Sequence, residues 1–164
     1  MSESITSVLV TGAAGFVGSA LVPRLIEEGR FSVHAAVREG RAGFPPAVTV
    51  HRGMDLAGAT DWSACLTGIE CVVHLAARVH VMHDSAADPL TEFRKVNVEG
   101  TLALARQAAA AGVRRFIYLS SIKDNGESTE PGKPFVEDDQ PAPRDPYGVS
   151  KFEAEQGLIS LGRE

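Results

Sequence analysis

Short apolar runs alternate along the chain with longer stretches whose apolar positions recur at helical spacing. Residues 7–11 (SVLVT) read as a buried strand. Residues 32–37, 48–53, 70–76 (ECVVHLA) and 115–120 (RFIYLS) read as four more. Between the first two lies a helix over 16–28, with Val17, Ala20, Leu21, Leu25 and Ile26 on one face and Gly29 as the stop. Pro23 inside it predicts a kink or a loss of stability. Residues 60–66 form a short helix with Thr60 or Asp61 as N-cap. The longest helix is the Ala-rich stretch 89–111, ending at Gly112. A polar, Pro-rich loop follows over 125–146, and an amphipathic helix over 147–161.

Strand–helix alternation of this kind predicts an α/β fold, a doubly wound parallel sheet covered on both faces. Right-handed crossovers give the strand order 3-2-1-4-5, the Rossmann arrangement. Ligands bind such sheets beyond the carboxyl ends of the strands, where the strand order reverses; here that is between the first and fourth. The expectation is one domain over 1–164.

Composition narrows the class. The chain has 164 residues, 44% apolar and 23% charged, with a formal net charge of −5. That fits a soluble globular domain and argues against nucleic acid or an anionic membrane surface as partner. Cys65 and Cys71 fit neither a metal-ligand spacing nor a disulfide framework, so they read as small buried hydrophobes in a reducing compartment. No stretch is apolar for the roughly 20 residues that cross a bilayer, and the polar N-terminus lacks the basic start of a signal peptide. The expected location is the cytoplasm.

The first strand runs into TGAAGFVG, residues 11–18. Gly12 permits a tight turn, Gly15 lets the backbone approach a pyrophosphate, and Gly18 lets the helix pack closely on the strand. Phe16 and Val17 open the helix, whose N–H groups and positive dipole end face the phosphates. No Gly-Lys-Ser/Thr follows, so a mononucleotide P-loop is disfavoured. At the end of the second strand, Val37-Arg38 replaces the acidic residue that takes the adenosine ribose in NAD-binding chains. A guanidinium suits a 2′-phosphate, which tilts the choice between NAD and NADP toward NADP. Asp55 and Leu56 fall where an adenine edge would lie. Leu75, Ala76 and Ala77 close the fourth strand with residues that let the nicotinamide half pass close to the backbone.

Tyr147 and Lys151 are four apart on the last helix and share a face. A lysine ammonium one turn away, with an oxidised nicotinamide, favours the phenolate over the ordinary phenol. Tyr147 then removes a hydroxyl proton while hydride leaves the same carbon, or runs the reverse. Ser120 and Ser121, ending the fifth strand, supply a hydroxyl that holds the same substrate oxygen.

TGAAGFVG (11–18), HLAA (74–77), VNVEGT (96–101), RFIYLSSIK (115–123) and YGVSK (147–151), in this order, resemble the extended short-chain dehydrogenases/reductases of the nucleotide-sugar epimerase/dehydratase branch. SSIK followed by Asn125-Gly126-Glu127 is similar to UDP-sugar 4-epimerases and C4 reductases that handle N-acetylated 6-deoxy sugars. The resemblance implies that Tyr147 is the general acid/base and that Lys151 binds the nicotinamide ribose and lowers the phenol's pKa. It implies that Ser121, rather than Ser120, orients the substrate and that Asn97 supports the cofactor site. It also implies a homodimer through the long helix and the Tyr147 helix. Lys123 stands where many relatives carry a small residue or threonine. The family continues into a sixth strand and a C-terminal substrate domain. The expectation is therefore an N-terminal portion truncated before both, with the fifth strand left as an exposed edge.

Other residues have plainer readings. His80 and His83 lack a carboxylate at ligand spacing and read as loop histidines, with no metal expected. Glu137, Asp138 and Asp139 read as a solvated run, and Trp62 as packing. Two functions stay open: NAD(P)-dependent hydride transfer at C4 of a UDP-hexose, or a dinucleotide-binding or redox-sensing module without turnover.

Overall fold

The structure is a computed structural model that describes residues 4–39, 43–57, 59–79 and 88–163. The chain forms two compact units, Met1–Ala77 with Ala103–Leu119, and Arg78–Leu102 with Ser120–Glu164.

The first unit holds one parallel sheet: β1 (Ser7–Thr11), β2 (Ser32–Ala36), β3 (Val48–His51), β4 (Cys71–His74) and β5 (Arg115–Tyr118), in the order β3-β2-β1-β4-β5. This is the order expected from the sequence. Val10 lies opposite Ala35 on one side and Val73 on the other. Side chains alternate across a strand, so Val8 and Val10 of β1 share a face with Val33 and Ala35 of β2. Helix α1 (Phe16–Glu27) covers that face. Its buried positions are Gly18 and Val22, with Leu21, Leu25 and Ile26 packed against the strand core. Each fully buried Val or Leu here contributes about 2 kcal/mol.

Several expectations are corrected in detail. Val17 (43% exposed) and the exposed Ala20 are not on the buried face of α1; Gly18 and Val22 take their place. The helix runs on through Pro23, which stands on its exposed side. Strands β2 to β5 end one or two residues earlier than their apolar runs, because the chain turns toward loops while still buried, as at Val37. Helix α2 is only Ser63–Leu66; Asp61 stays outside it and accepts the Ser63 amide. Trp62 is buried, and its amide bonds the Gln107 side chain of helix α4 (Thr101–Ala110). Cys65 and Cys71 are buried thiols, both raised by burial.

The expected long helix is three pieces: α3 (Pro89–Arg94), a π-helical turn (Lys95–Gly100) and α4. In the second unit, α3 and the π turn accompany a 3₁₀ turn (Ile122–Asp124) and helix α5 (Pro146–Leu161). The Arg94 guanidinium meets the Glu153 carboxylate with two hydrogen bonds, tying α3 to α5. At Gly157, a Cβ would come within 2.8 Å of Leu102, so the glycine sets how closely that helix approaches. No described helix is long and apolar enough to cross a membrane.

Candidate active site

In the sheet unit, the end of β1 turns sharply before α1. Gly12 has φ +65°, and a Cβ there would sit 2.7 Å from the Ala76 amide nitrogen. A Cβ on Gly18 would sit 2.4 Å from the Gly12 carbonyl oxygen. Both positions therefore admit only glycine. Gly15 is the N-cap of α1, with its amide bonded to the Gly12 carbonyl at 2.9 Å and no side-chain cap on the helix. The first-turn amides thus have no partner within the helix. Phe16 is 96% exposed at this helix start. Such a turn offers amides and a positive dipole end to a diphosphate, and no Cβ stands in the way at the three glycines.

Thr11 ties this turn to the end of β4. Its hydroxyl meets His74 Nδ1 at 2.7 Å and accepts the Ala76 amide at 3.2 Å. His74 is fully buried and stacks on Tyr118. Leu75, Ala76 and Ala77 are half-buried beside the glycine turn. Val37 is buried and Arg38 exposed at the end of β2. Leu56 is buried, while Asp55 is exposed and accepts the Ala57 amide. The sequence-predicted cofactor residues other than Asn97, Tyr147 and Lys151 thus lie in this unit.

The second unit gathers the remaining candidates. Asp145 caps α5 by accepting the Gly148 amide at 2.6 Å, with Pro146 as the first helical residue. This fixes the turn that carries Tyr147. The Ser121 hydroxyl is near enough to the phenol to favour its charged form, and the phenol ring lies edge-on to Phe93. Burial raises the phenol above its ordinary value, with Asp124 and Asp145 adding to the rise and Ser121 and Lys123 opposing it. The sequence predicts a phenol lowered by lysine and cofactor together; in the chain alone, burial dominates.

Asn97 sits on the π turn, 1% exposed. Its amide donates to the Ser150 hydroxyl at 2.9 Å and the Arg78 carbonyl at 3.0 Å, and its carbonyl accepts the Arg78 amide at 2.8 Å. Ser150 in turn donates to the Tyr147 carbonyl. The wider π turn thus aims one polar side chain at α5, a use to which such turns are often put. Lys151 is 3% exposed, and burial pushes its ammonium down to about 8 against the pull of Asp124 and Glu155.

Three features escape the sequence reading. Ser150 lies inside YGVSK but supports Asn97. Lys123 is engaged by Asp145 and Glu127, so its ammonium braces the cap of α5. Asp124 is a buried carboxyl with no periodic signal around it. The histidines at 80 and 83 lie outside the described residues.

The sheet order and the glycine turn define a Rossmann-type dinucleotide-binding fold. The chain belongs to the NAD dependent epimerase/dehydratase family, whose model matches residues 8–164. It is 45% identical over 163 residues to a UDP-glucose 4-epimerase of Vibrio cholerae, a match covering 96% of this chain and 48% of that protein. A UDP-glucose 4-epimerase of Thermotoga maritima, solved with UDP-glucose, superposes with a TM-score of 0.82 at 30% identity, covering 97% of this chain and 52% of that one. MoeE5, solved with UDP-glucuronic acid and NAD, superposes with a TM-score of 0.79 at 35% identity, covering 96% and 50%. The chain spans about half the length of the relatives it matches.

Proposed function

We propose that the protein takes part in NAD(P)-dependent hydride transfer at C4 of a UDP-hexose, with Tyr147 as general acid/base. The observation that carries this reading is the placement of the Tyr147 phenol beside the Ser121 hydroxyl, with buried Lys151 one turn further along α5. Relatives solved with UDP-glucose or with NAD support the ligand classes.

A bound nicotinamide would accept hydride from C4 and return it. Gly12, Gly15 and Gly18, with the first amides of α1, would hold its pyrophosphate; Phe16, Val17, Asp55, Leu56, Leu75, Ala76 and Ala77 would line the rest. Arg38 would meet a 2′-phosphate where NADP is bound. Ser121 would hold the C4 oxygen in line with the phenol. Oxidation at C4 breaks its C–H bond with both electrons and moves the hydroxyl proton to the Tyr147 oxygen; reduction sends that proton back. Lys151 would favour the phenolate when charged. Asn97 would keep α5 in place through Ser150.

Thermal-shift titration with NAD⁺, NADH, NADP⁺ and NADPH tests binding, since a ligand held only by the folded chain raises stability. UDP-glucose added to the chain with NAD⁺ should then be converted to its C4 epimer, read by separating the two UDP-hexoses, and Tyr147→Phe should abolish the conversion. A second reading is dinucleotide binding without turnover. A thermal shift with no epimer formed supports that reading. No shift with any of the four nucleotides overturns both.

A further inference from the structure

The β3 side of the sheet carries two imidazoles that the proposed chemistry does not use. Val33 and Ala35 of β2 join the core under α1, so His34 between them faces the other side of the sheet. His51 ends β3 opposite Ala36, two residues along from His34, and so shares that side. His34 Nδ1 lies 3.1 Å from His51 Nε2. The ring centres are 5.4 Å apart and the ring planes are 15° from parallel. That spacing is what two imidazoles give when they meet nitrogen to nitrogen in one line. The contact is an in-line N–H···N hydrogen bond, with one proton between the rings. The backbone beside it runs toward the candidate site. The His51 carbonyl accepts the Val37 amide at 2.9 Å, the Val37 carbonyl accepts the Met54 amide at 3.0 Å, and the Arg38 carbonyl accepts the Gly53 amide at 3.1 Å. Asp55 and Leu56 follow directly.

We propose that His34 and His51 form an acid-operated latch on the β2–β3 edge: one shared proton holds the two rings together, and full protonation drives them apart and loosens the turn that leads to Asp55 and Leu56. The effect on cofactor binding rests on the reading that Asp55 and Leu56 line the dinucleotide; the latch itself stands on the geometry of this edge.

Counting protons gives the mechanism. Two neutral imidazoles carry one N–H each, and one of these bridges the rings. A first added proton leaves the bridge intact and makes it charge-assisted. A second puts a hydrogen on both facing nitrogens, so neither accepts and two positive rings repel across 3.1 Å. By register, the side chains beside the rings on this side are Leu9 and Thr11 of β1, Ser32 and Ala36 of β2 and Thr49 of β3, none of them charged. The Ser32 hydroxyl lies 3.4 Å from His34 Nε2. Arg52 follows His51 in the chain, and Arg38 stands near the end of β2; both are exposed. The ion pair of Arg24 and Glu27 belongs to α1, on the opposite side. Burial holds both rings below the ordinary 6.5, and the charge of His51 lowers His34 further. Stability from the pair is therefore present above 6.5 and is lost as pH falls through the folded values.

The test is NMR titration of the 164-residue chain labelled with ¹⁵N and ¹³C, without cofactor or substrate, from about pH 8 to about pH 4.5. Ring signals are assigned through the backbone, so wild type alone gives the first two results. His34 and His51 should titrate in two linked steps, the second at least about one pH unit below the ordinary 6.5. The amides of residues 48–54 should shift with that second step. Independent titration of both rings near 6.5 overturns the proposal, as do amides that stay still through the second step. In His51→Gln, His34 should titrate in one step closer to 6.5; a single step as low as the second step of wild type also overturns it. Calorimetry carries the latch to the site. NAD⁺ affinity should fall about fivefold from about pH 7 to about pH 5 in wild type and less in the double variant His34→Gln, His51→Gln. An equal fall in both contradicts the link to Asp55 and Leu56. No NAD⁺ binding at any pH defeats the cofactor reading instead and leaves the titration result standing.

Discussion

Glu70, just ahead of β4, and Asp124, at the end of the 3₁₀ turn, are carboxyls driven in opposite directions by their surroundings. Glu70 accepts the Thr6 amide at 2.6 Å, the Thr6 hydroxyl at 2.8 Å and the Ser7 amide at 3.2 Å, and meets Arg114 at 2.6 Å. These donors hold it down to about 2. Asp124 has one donor and burial around it, and is held up at about 6. In the sheet unit a charge is fixed and satisfied, and it ties the start of β1 to β4 and the approach to β5. In the unit of α5, Asp124 and Lys151 are desolvated and titrate within reach of neutral pH. The candidate functional groups differ in the same way. The sheet unit contributes backbone, an uncapped helix start and two glycines, Gly12 and Gly18, that exclude any Cβ; the other contributes ionisable side chains. The glycine turn is rigid by sterics, the surroundings of α5 adjustable by protons.

The contrast can be broken most forcefully at Gly18. A Cβ there would lie 2.4 Å from the Gly12 oxygen and 2.6 Å from the Ala13 Cα, with backbone on both sides. Gly18→Val should therefore destabilise the sheet unit by about 3 kcal/mol or more, seen as loss of the cooperative unfolding transition in urea. A variant as stable as wild type would mean that the turn is not the steric lock described.

Gly15 sharpens the comparison, because it is exposed and has an ordinary φ of −79°. Gly15→Asp should fold and yet lose at least about tenfold in NAD⁺ affinity, through a carboxylate set against the pyrophosphate. Gly15→Ala adds the same Cβ, 3.1 Å from the Gly12 oxygen, without the charge, and should lose less. Equal losses in calorimetry would assign the effect to shape rather than charge.

The smallest expected effect is at Glu70. Its folded pKa lies below its ordinary 4.5, so its contribution is present above that value and is lost as pH falls toward about 2. The thermal midpoint of Glu70→Gln should lie below that of wild type at pH 7, and the gap should close as pH falls through that range. A gap independent of pH would show that the donors around Glu70 do not act through its charge.

The two regions were also unequally legible in the sequence. The sheet order follows from strand–helix alternation, and TGAAGFVG announces its turn because only glycine tolerates positions 12 and 18. The face of α1 was misjudged at Val17 and Ala20, since apolar residues also occupy the exposed first turn of that helix. The π turn left no trace in the Ala-rich pattern, because one wider turn barely shifts the spacing of apolar positions. Tyr147 and Lys151 were visible as a spaced pair. Asp124 was not, because its burial comes only with the fold and no periodic pattern surrounds it.

The central claim is that the amides of the glycine turn take up a dinucleotide diphosphate. Titrating NAD⁺ into the ¹⁵N-labelled chain and following its amide resonances tests this directly. Saturable shifts concentrated at residues 12–18, absent in Gly15→Asp, are the predicted result. Shifts confined to other residues, or none at millimolar NAD⁺, would contradict it.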